Sequence, residues 1–290
     1  MKKILTLLLA AALTLSAQAQ LKVASLHPLL SEMAEAVGGG QVCVVDMFPA
    51  NVELHEFSPQ PADVAAASGA RLVLACGKGV EPYLDGLKES LSKDTAILEL
   101  GRDVPDVKLP GGNGCDPHWW NSPANMKRAA LSLMGALEKA DAAHAAAFRA
   151  GYAKYAAEMD RLDREARLAF SRIPKESRTL VTEHAAMCHF CAQYGFTAIP
   201  IYGIAKESQG DTAGMARTLA QLRESRVRCI FREWTESPRA LAALAGQIGA
   251  QVRPLVLDGI CPDLTGYAAI FRANVKNITD GLAPAPQPQP

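Results

Sequence analysis

Between Asp141 and Pro174 the chain carries a pattern that reads as one long helix. Phe148, Tyr152, Tyr155, Met159, Leu162, Ala166 and Phe170 recur at spacings of 4, 3, 4, 3, 4 and 4, a single apolar stripe with no proline before Pro174. Asp141 offers an N-cap side chain, so the spacing predicts a helix over residues 141–172. At 1.5 Å per residue it would be roughly 45 Å long, more than one lobe needs, and it reads as a rigid strut between two lobes. The stripe holds too much alanine and aromatic for the regular seam of a coiled coil.

On both sides of the strut, strand and helix patterns alternate. Strands are expected near residues 22–26, 41–48, 71–75 and 95–100, then near 178–182, 197–202, 228–232 and 251–257. Helices are expected from Pro28 towards Gly38, at 62–68 and 81–91, and later at 186–194, 212–224, 237–248 and 265–282. Such alternation implies parallel strands with helices on the sheet faces. The expected fold class is therefore α/β, two lobes with parallel sheets joined by one long rigid helix. The expected division is a signal peptide at 1–19, an N-terminal lobe at 20–140, the linking helix at 141–172, a C-terminal lobe at 173–283 and a disordered Pro-rich tail at 284–290.

The leader reading rests on Lys2 and Lys3, the apolar run Ile4–Leu15 and the small-residue site Ala17-Gln18-Ala19. The apolar run is too short to span a membrane, and no cysteine follows the cleavage site, so an exported, periplasmic protein without a lipid anchor is expected. Without Lys2 and Lys3 the chain has 28 basic against 30 acidic residues, a balance that favours neither nucleic acid nor an anionic membrane. All seven cysteines lie beyond the leader, so in an oxidising compartment disulfides are expected, with one thiol left over. Cys43, Cys76 and Cys229 sit in strand-like runs and also read as small buried apolar residues. Cys188-His189-Phe190-Cys191 has no second CxxC to complete a four-sulfur site.

Ligands in open α/β sheets bind at the carboxyl ends of the strands. His55 lies in the loop after the second strand. His118 sits in the stiff stretch Asp116-Pro117-His118-Trp119-Trp120, where proline fixes one backbone angle. His184 follows the fifth strand and Asp258 follows the eighth. Two candidate ligands from each lobe thus point at one crevice, and three imidazoles with one carboxylate suit Zn²⁺ in a roughly tetrahedral shell. Glu53 and Glu56 flank His55 as alternative oxygen donors. Cys188, four residues from His184, is a thiolate alternative that would favour Cu⁺, with Cys115 nearby. His27 reads as a helix-entry residue, His144 as a solvated helical residue and His189 as a decoy. Trp119 and Trp120 are expected to pack the lobe interface, and Glu233 and Glu236 to solvate a loop.

Four segments, "ELHEFSPQPADV" (53–64), "DPHWWNSPANMKRAA" (116–130), "EHAAMCHFCAQYGF" (183–196) and "FREWTESPRALAALAGQIGAQVRPLVLDG" (231–259), carry a resemblance. In order and spacing they resemble the solute-binding proteins of zinc and manganese ABC importers, cluster A-I, over nearly all of residues 21–282. The resemblance implies two Rossmann-like lobes, a long linking helix and one metal in the interlobe cleft held by His55, His118, His184 and Asp258. Manganese binders often carry glutamate at the third position, so His184 favours zinc. It further implies a monomer that hands Zn²⁺ to a membrane permease, with a periplasmic metallochaperone as a further partner, and no enzymatic activity. The alternatives are a manganese or iron binder of the same family, or a secreted zinc hydrolase using Glu183 or Glu56 as base. Many zinc members have a long His- and Asp-rich loop; here only the short Pro110–Cys115 connection stands in its place.

Overall fold

The computed structural model describes residues 19–49, 52–112, 114–202, 220, 222–224, 227–234 and 238–284. The leader up to residue 18, most of the helix expected at 212–224, Glu236 and the Pro-rich tail from 285 lie outside the described residues.

All eight expected strands are present. Strands β1 (Leu21–Ser25), β2 (Val42–Asp46), β3 (Leu72–Ala75) and β4 (Ala96–Glu99) form a parallel sheet in the order β2-β1-β3-β4. Strands β5 (Thr179–Thr182), β6 (Thr197–Pro200), β7 (Cys229–Glu233) and β8 (Gln251–Leu255) form a second, in the order β6-β5-β7-β8. Each half therefore follows the same plan, with its switch point between its first and third strands. Pro200 and Pro254 are tolerated because β6 and β8 are edge strands, where a missing ladder donor costs little. The two halves also share a local device: Ser25 Oγ donates to the His27 carbonyl at 2.9 Å, and Thr182 Oγ1 donates to the His184 carbonyl at 2.7 Å.

Helices cover the sheets. In the first half they are α1 (Pro28–Gly38), α2 (Pro61–Ala66) and α3 (Leu84–Ser90). Next come α4 (Pro123–Ala140), which the apolar pattern did not suggest, and α5 (Ala145–Phe170). Helix α4 has a sequence signature all the same: Ser122 caps it by accepting the Asn125 N–H, and Pro123 occupies its first turn. Asp141, expected to start the strut, instead ends α4 in a non-helical conformation, φ −147° and ψ 81°. A single 3₁₀ turn, Ala142–His144, then leads into α5, which is 26 residues long. The predicted stripe is buried along α5 except for the half-buried Tyr152. Helix α5 packs on α4, on α1 and on the last helix α8 (Tyr267–Leu282), so it touches both halves. Its approach to α1 is close: a Cβ on Gly151 would lie 2.2 Å from the Val37 carbonyl oxygen.

In the second half, α6 (Cys188–Tyr194) and α7 (Pro238–Ile248) complete the layers. One apolar core runs through both halves and includes Trp119, Trp120, Phe170 and Phe190; a smaller one around Val181, Ile230 and Leu241 lies on the second sheet alone. The expected disulfides are not formed. All seven cysteines are free, with Cys76, Cys188, Cys191 and Cys229 buried as small side chains. Among the described residues no helix is long and apolar enough to cross a membrane.

Candidate metal centre

Four loops leaving the carboxyl ends of the strands, or following them, deliver the four side chains singled out in the sequence. His55 stands on a 3₁₀ turn, Leu54–Glu56, after β2. That turn is anchored by the buried Leu54 and Phe57, whose ring lies 4.9 Å from that of Phe48 and 5.8 Å from that of Tyr83. His118 is held by Asp116, whose Oδ1 accepts the His118 backbone N–H at 2.9 Å and its Nδ1–H at 2.7 Å. With Nδ1 fixed as donor, Nε2 keeps a lone pair aimed into the centre. His184 lies just past β5. Asp258 lies just past β8, and its carbonyl accepts the Nε2–H of His27 at 3.0 Å. The His27 tautomer is set by its own Nδ1, which accepts the Leu29 N–H at 3.1 Å as the N-cap of α1.

The four meet. His55 Nε2 lies 3.0 Å from His118 Nε2, and Asp258 Oδ1 lies 3.1 Å from His184 Nε2 and 3.5 Å from His118 Nε2. One atom from each lies within 4.8 Å of the others, the one group of this kind among the described residues. His118, His184 and Asp258 are buried and His55 is half-buried.

Burial and mutual charge set the protonation of the centre. Burial pulls His55 down to about 4, and His27 likewise to about 4, so both are neutral at pH 7. Burial also pulls on His184, but the charge and hydrogen bond of Asp258 outweigh it and leave the imidazole at about 9. Burial would raise Asp258, yet His184 outweighs it and holds the carboxyl well below the usual carboxylate range. Desolvation and the charge of Asp258 push Glu233 upwards. Once His184 gives up its proton, three nitrogen donors and one ionised carboxylate converge here, a donor set that fits a borderline-soft divalent cation.

Other expectations fare differently. Glu233 does not solvate a loop: it is 4 % exposed, and its carboxylate accepts the backbone N–H groups of Trp234 and Leu257. Those buried donors account for this, and the residue braces the short stretch between β8 and Asp258. Glu183, once a candidate base, turns away to accept the Glu233 N–H at 2.9 Å. Glu56 is exposed, and neither cysteine joins the centre; Cys188 instead faces Asp116, to whose Oδ2 it donates its backbone N–H at 2.7 Å. His189 sits outside it, donating from Nε2 to the Asp116 carbonyl at 2.9 Å and accepting at Nδ1 from Asn125. His144 is not simply solvated, since its ring bonds Asp141 at 2.6 Å. Both tryptophans are buried at the interface; Trp119 donates to the Cys76 carbonyl and Trp120 to that of Leu257. Asp116 is the functional residue that was quoted but not assigned a role, and its signal was an acid two residues before a histidine in a Pro-stiffened loop. Beside the centre lies a cavity of about 610 Å³, with Phe48, Val52, Glu53, Glu233 and Asp258 in its wall.

Residues 23–281 match the family described as ZnuA, zinc-uptake complex component A, periplasmic. The chain belongs to that family. It is a family of substrate-binding components of metal-uptake transporters rather than of enzymes. Among its relatives is the iron-binding protein YfeA of Yersinia pestis, 27 % identical over 268 residues, covering 90 % of this chain and 86 % of the relative. The manganese-binding lipoprotein MntA of Halalkalibacterium halodurans is 24 % identical over 267 residues, covering 91 % and 89 %. The solved structure of the periplasmic zinc binding protein TroA of Treponema pallidum superposes with a TM-score of 0.83 at 21 % identity, over 92 % of this chain and 100 % of the other, and shows the same fold.

Proposed function

We propose that this chain is an exported, high-affinity zinc-binding protein that carries Zn²⁺ to an ABC-type membrane importer. The observation that carries the proposal is the convergence of three imidazole nitrogens and the Asp258 carboxylate within 4.8 Å of one another. His55, His118, His184 and Asp258 are the four ligands, and Zn²⁺ is cargo rather than a resident cofactor. A shell with three nitrogen donors supports zinc over the harder manganese ion, which is better served by oxygen. Four protein ligands also leave no open position for an activated water, as suits transport rather than hydrolysis. The working form is a periplasmic monomer, its partner is the importer's permease, and a periplasmic metallochaperone is a further candidate donor.

A second reading, iron or manganese at the same four residues, draws on the relatives named for those metals. Competitive metal binding to the chelator-stripped protein, with elemental analysis, separates the two. One tight Zn²⁺ per chain, weakened by Asp258→Ala and indifferent to thiol blocking, is expected. Preference for Mn²⁺ or Fe²⁺ would select the second reading, and no stoichiometric metal would sink both.

A further inference from the structure

The four ligands are not equally anchored. The stretch 116–125, which carries His118, is bonded to both halves of the molecule. Towards the first half, the Asp116 N–H reaches the Val107 carbonyl at 2.8 Å and the Trp119 indole reaches that of Cys76 at 3.0 Å. Towards the second, Asp116 takes the Cys188 N–H, and Asn121 donates to the carbonyls of Ala186 at 2.9 Å and Leu257 at 2.8 Å. These groups are buried, and Leu257 immediately precedes Asp258. The His27 ring adds a further tie from the end of β1 to the Asp258 carbonyl. Swinging the halves apart would break all of these bonds at once and open a packed interface to water.

His184, whose ring also bonds only within the centre, has its carbonyl tied to the Thr182 hydroxyl and the Ala186 N–H. His55 has no such bond, its turn being seated only by the apolar Leu54 and Phe57. Among the described residues its ring bonds only His118, inside the centre itself. Its turn is closed by two long bonds, Glu56 N–H to Glu53 O at 3.2 Å and Phe57 N–H to Leu54 O at 3.4 Å. The residues just before it, Val52 to Leu54, form one wall of the cavity of about 610 Å³, which also reaches Asp258. His55 therefore follows directly on one wall of that space, which Asp258 lines from the other side.

We infer that His118, His184 and Asp258 form a preassembled three-donor half-site, and that His55 is the ligand that closes it last and leaves it first. Asp116 is the positioning residue that keeps His118 in the half-site. Metal then exchanges through movement of the His55 turn while the two halves stay together. The inference rests on the four-ligand reading above, and the experiment separates the two.

Full-length mature protein is loaded with Zn²⁺, its metal content is measured, and release into excess chelator is followed by stopped flow for wild type, His55→Ala, His118→Ala, His184→Ala and Asp258→Ala. His55→Ala is expected to keep one Zn²⁺ per chain and to release it at least about tenfold faster; the other three are expected to fall below stoichiometry. Loss of metal from His55→Ala as complete as from His184→Ala would overturn the inference while leaving the four-ligand site intact. A wild type that binds no metal would mean the underlying reading had failed instead. Should the buried variants unfold, the wild type alone decides. Pulsed carbethoxylation with mass mapping during release is expected to mark His55 ahead of His118 and His184, and marking of either of those first would overturn the order.

Discussion

Removing the Asp116 carboxylate tests how much of the centre depends on a group that touches no metal. Its two oxygens accept three buried donors: the His118 N–H at 2.9 Å, the His118 Nδ1–H at 2.7 Å and the Cys188 N–H at 2.7 Å. Asp116→Ala leaves all three without a partner. Each unpaired buried donor costs about 1–3 kcal/mol, and some water entry into the vacated volume would recover part, so a loss of about 3–5 kcal/mol in the metal-free protein is expected. His118 also loses what fixes its tautomer and ring plane, which should weaken metal affinity by about 10–100-fold. Asp116→Asn keeps one oxygen for His118 but turns an NH₂ towards the Cys188 N–H, so it should fall between wild type and alanine in both respects. Urea unfolding of the metal-free form and competitive chelator titration of the loaded form measure the two effects independently. An Asp116→Ala protein that loses the expected stability yet binds metal within about twofold of wild type would refute the view that this acid positions His118.

Three further outcomes follow from the geometry. In the metal-free protein His184 is protonated up to about pH 9, so Zn²⁺ binding at pH 7 should release close to one proton; calorimetry in buffers of different ionisation heat reads this number directly, and zero would contradict the His184–Asp258 pairing. Burial lifts Glu81 to about 7, above its ordinary 4.5, so its contribution to stability is full below about pH 4.5 and is lost as pH rises through 7. The difference between wild type and Glu81→Gln in unfolding free energy should therefore change by about 3 kcal/mol between pH 4.5 and 8, and a constant difference would count against the shift. Gly151→Ala places a methyl 2.2 Å from the Val37 oxygen, so overpacking of about 2 kcal/mol should outweigh the helix-propensity gain and lower Tm by a few degrees; a raised Tm would show that α1 and α5 yield freely.

Much of the fold was legible because hydrophobic period and chain punctuation agree. Every strand sits where a short apolar run closes at a turn, and the α5 stripe was visible because its buried residues follow one helix face. The exact start of α5 was not legible. Asp141 can cap a helix or end one, and tertiary packing of α4 against α5 decided for the second use. Helix α4 itself was overlooked because a binding motif and a helix start share Ser122 and Pro123. In the centre, the four convergent side chains could be named because His184 and Asp258 lie just past strand ends, His55 in the loop after β2 and His118 in a proline-stiffened loop. What holds them could not, since the partners of Asp116, Glu233 and His27 are backbone groups up to 231 residues away. Backbone partners leave no mark on a sequence, so Glu233 read as a solvated acid when it is a buried acceptor of the Trp234 and Leu257 N–H groups.

The identical strand order of the two sheets has a consequence for how such a site could arise. A half-chain with this plan, paired with a copy of itself, would offer one histidine per copy from the same place, after its first strand. His27 and His184 occupy those equivalent places and still share the hydroxyl-to-carbonyl bond that shapes the turn. In this chain the two equivalent places are used differently. One histidine could then stay at the cargo while its twin turned to grip the backbone of Asp258, and so a twofold arrangement becomes a lopsided one with a fixed side and a side that lets go.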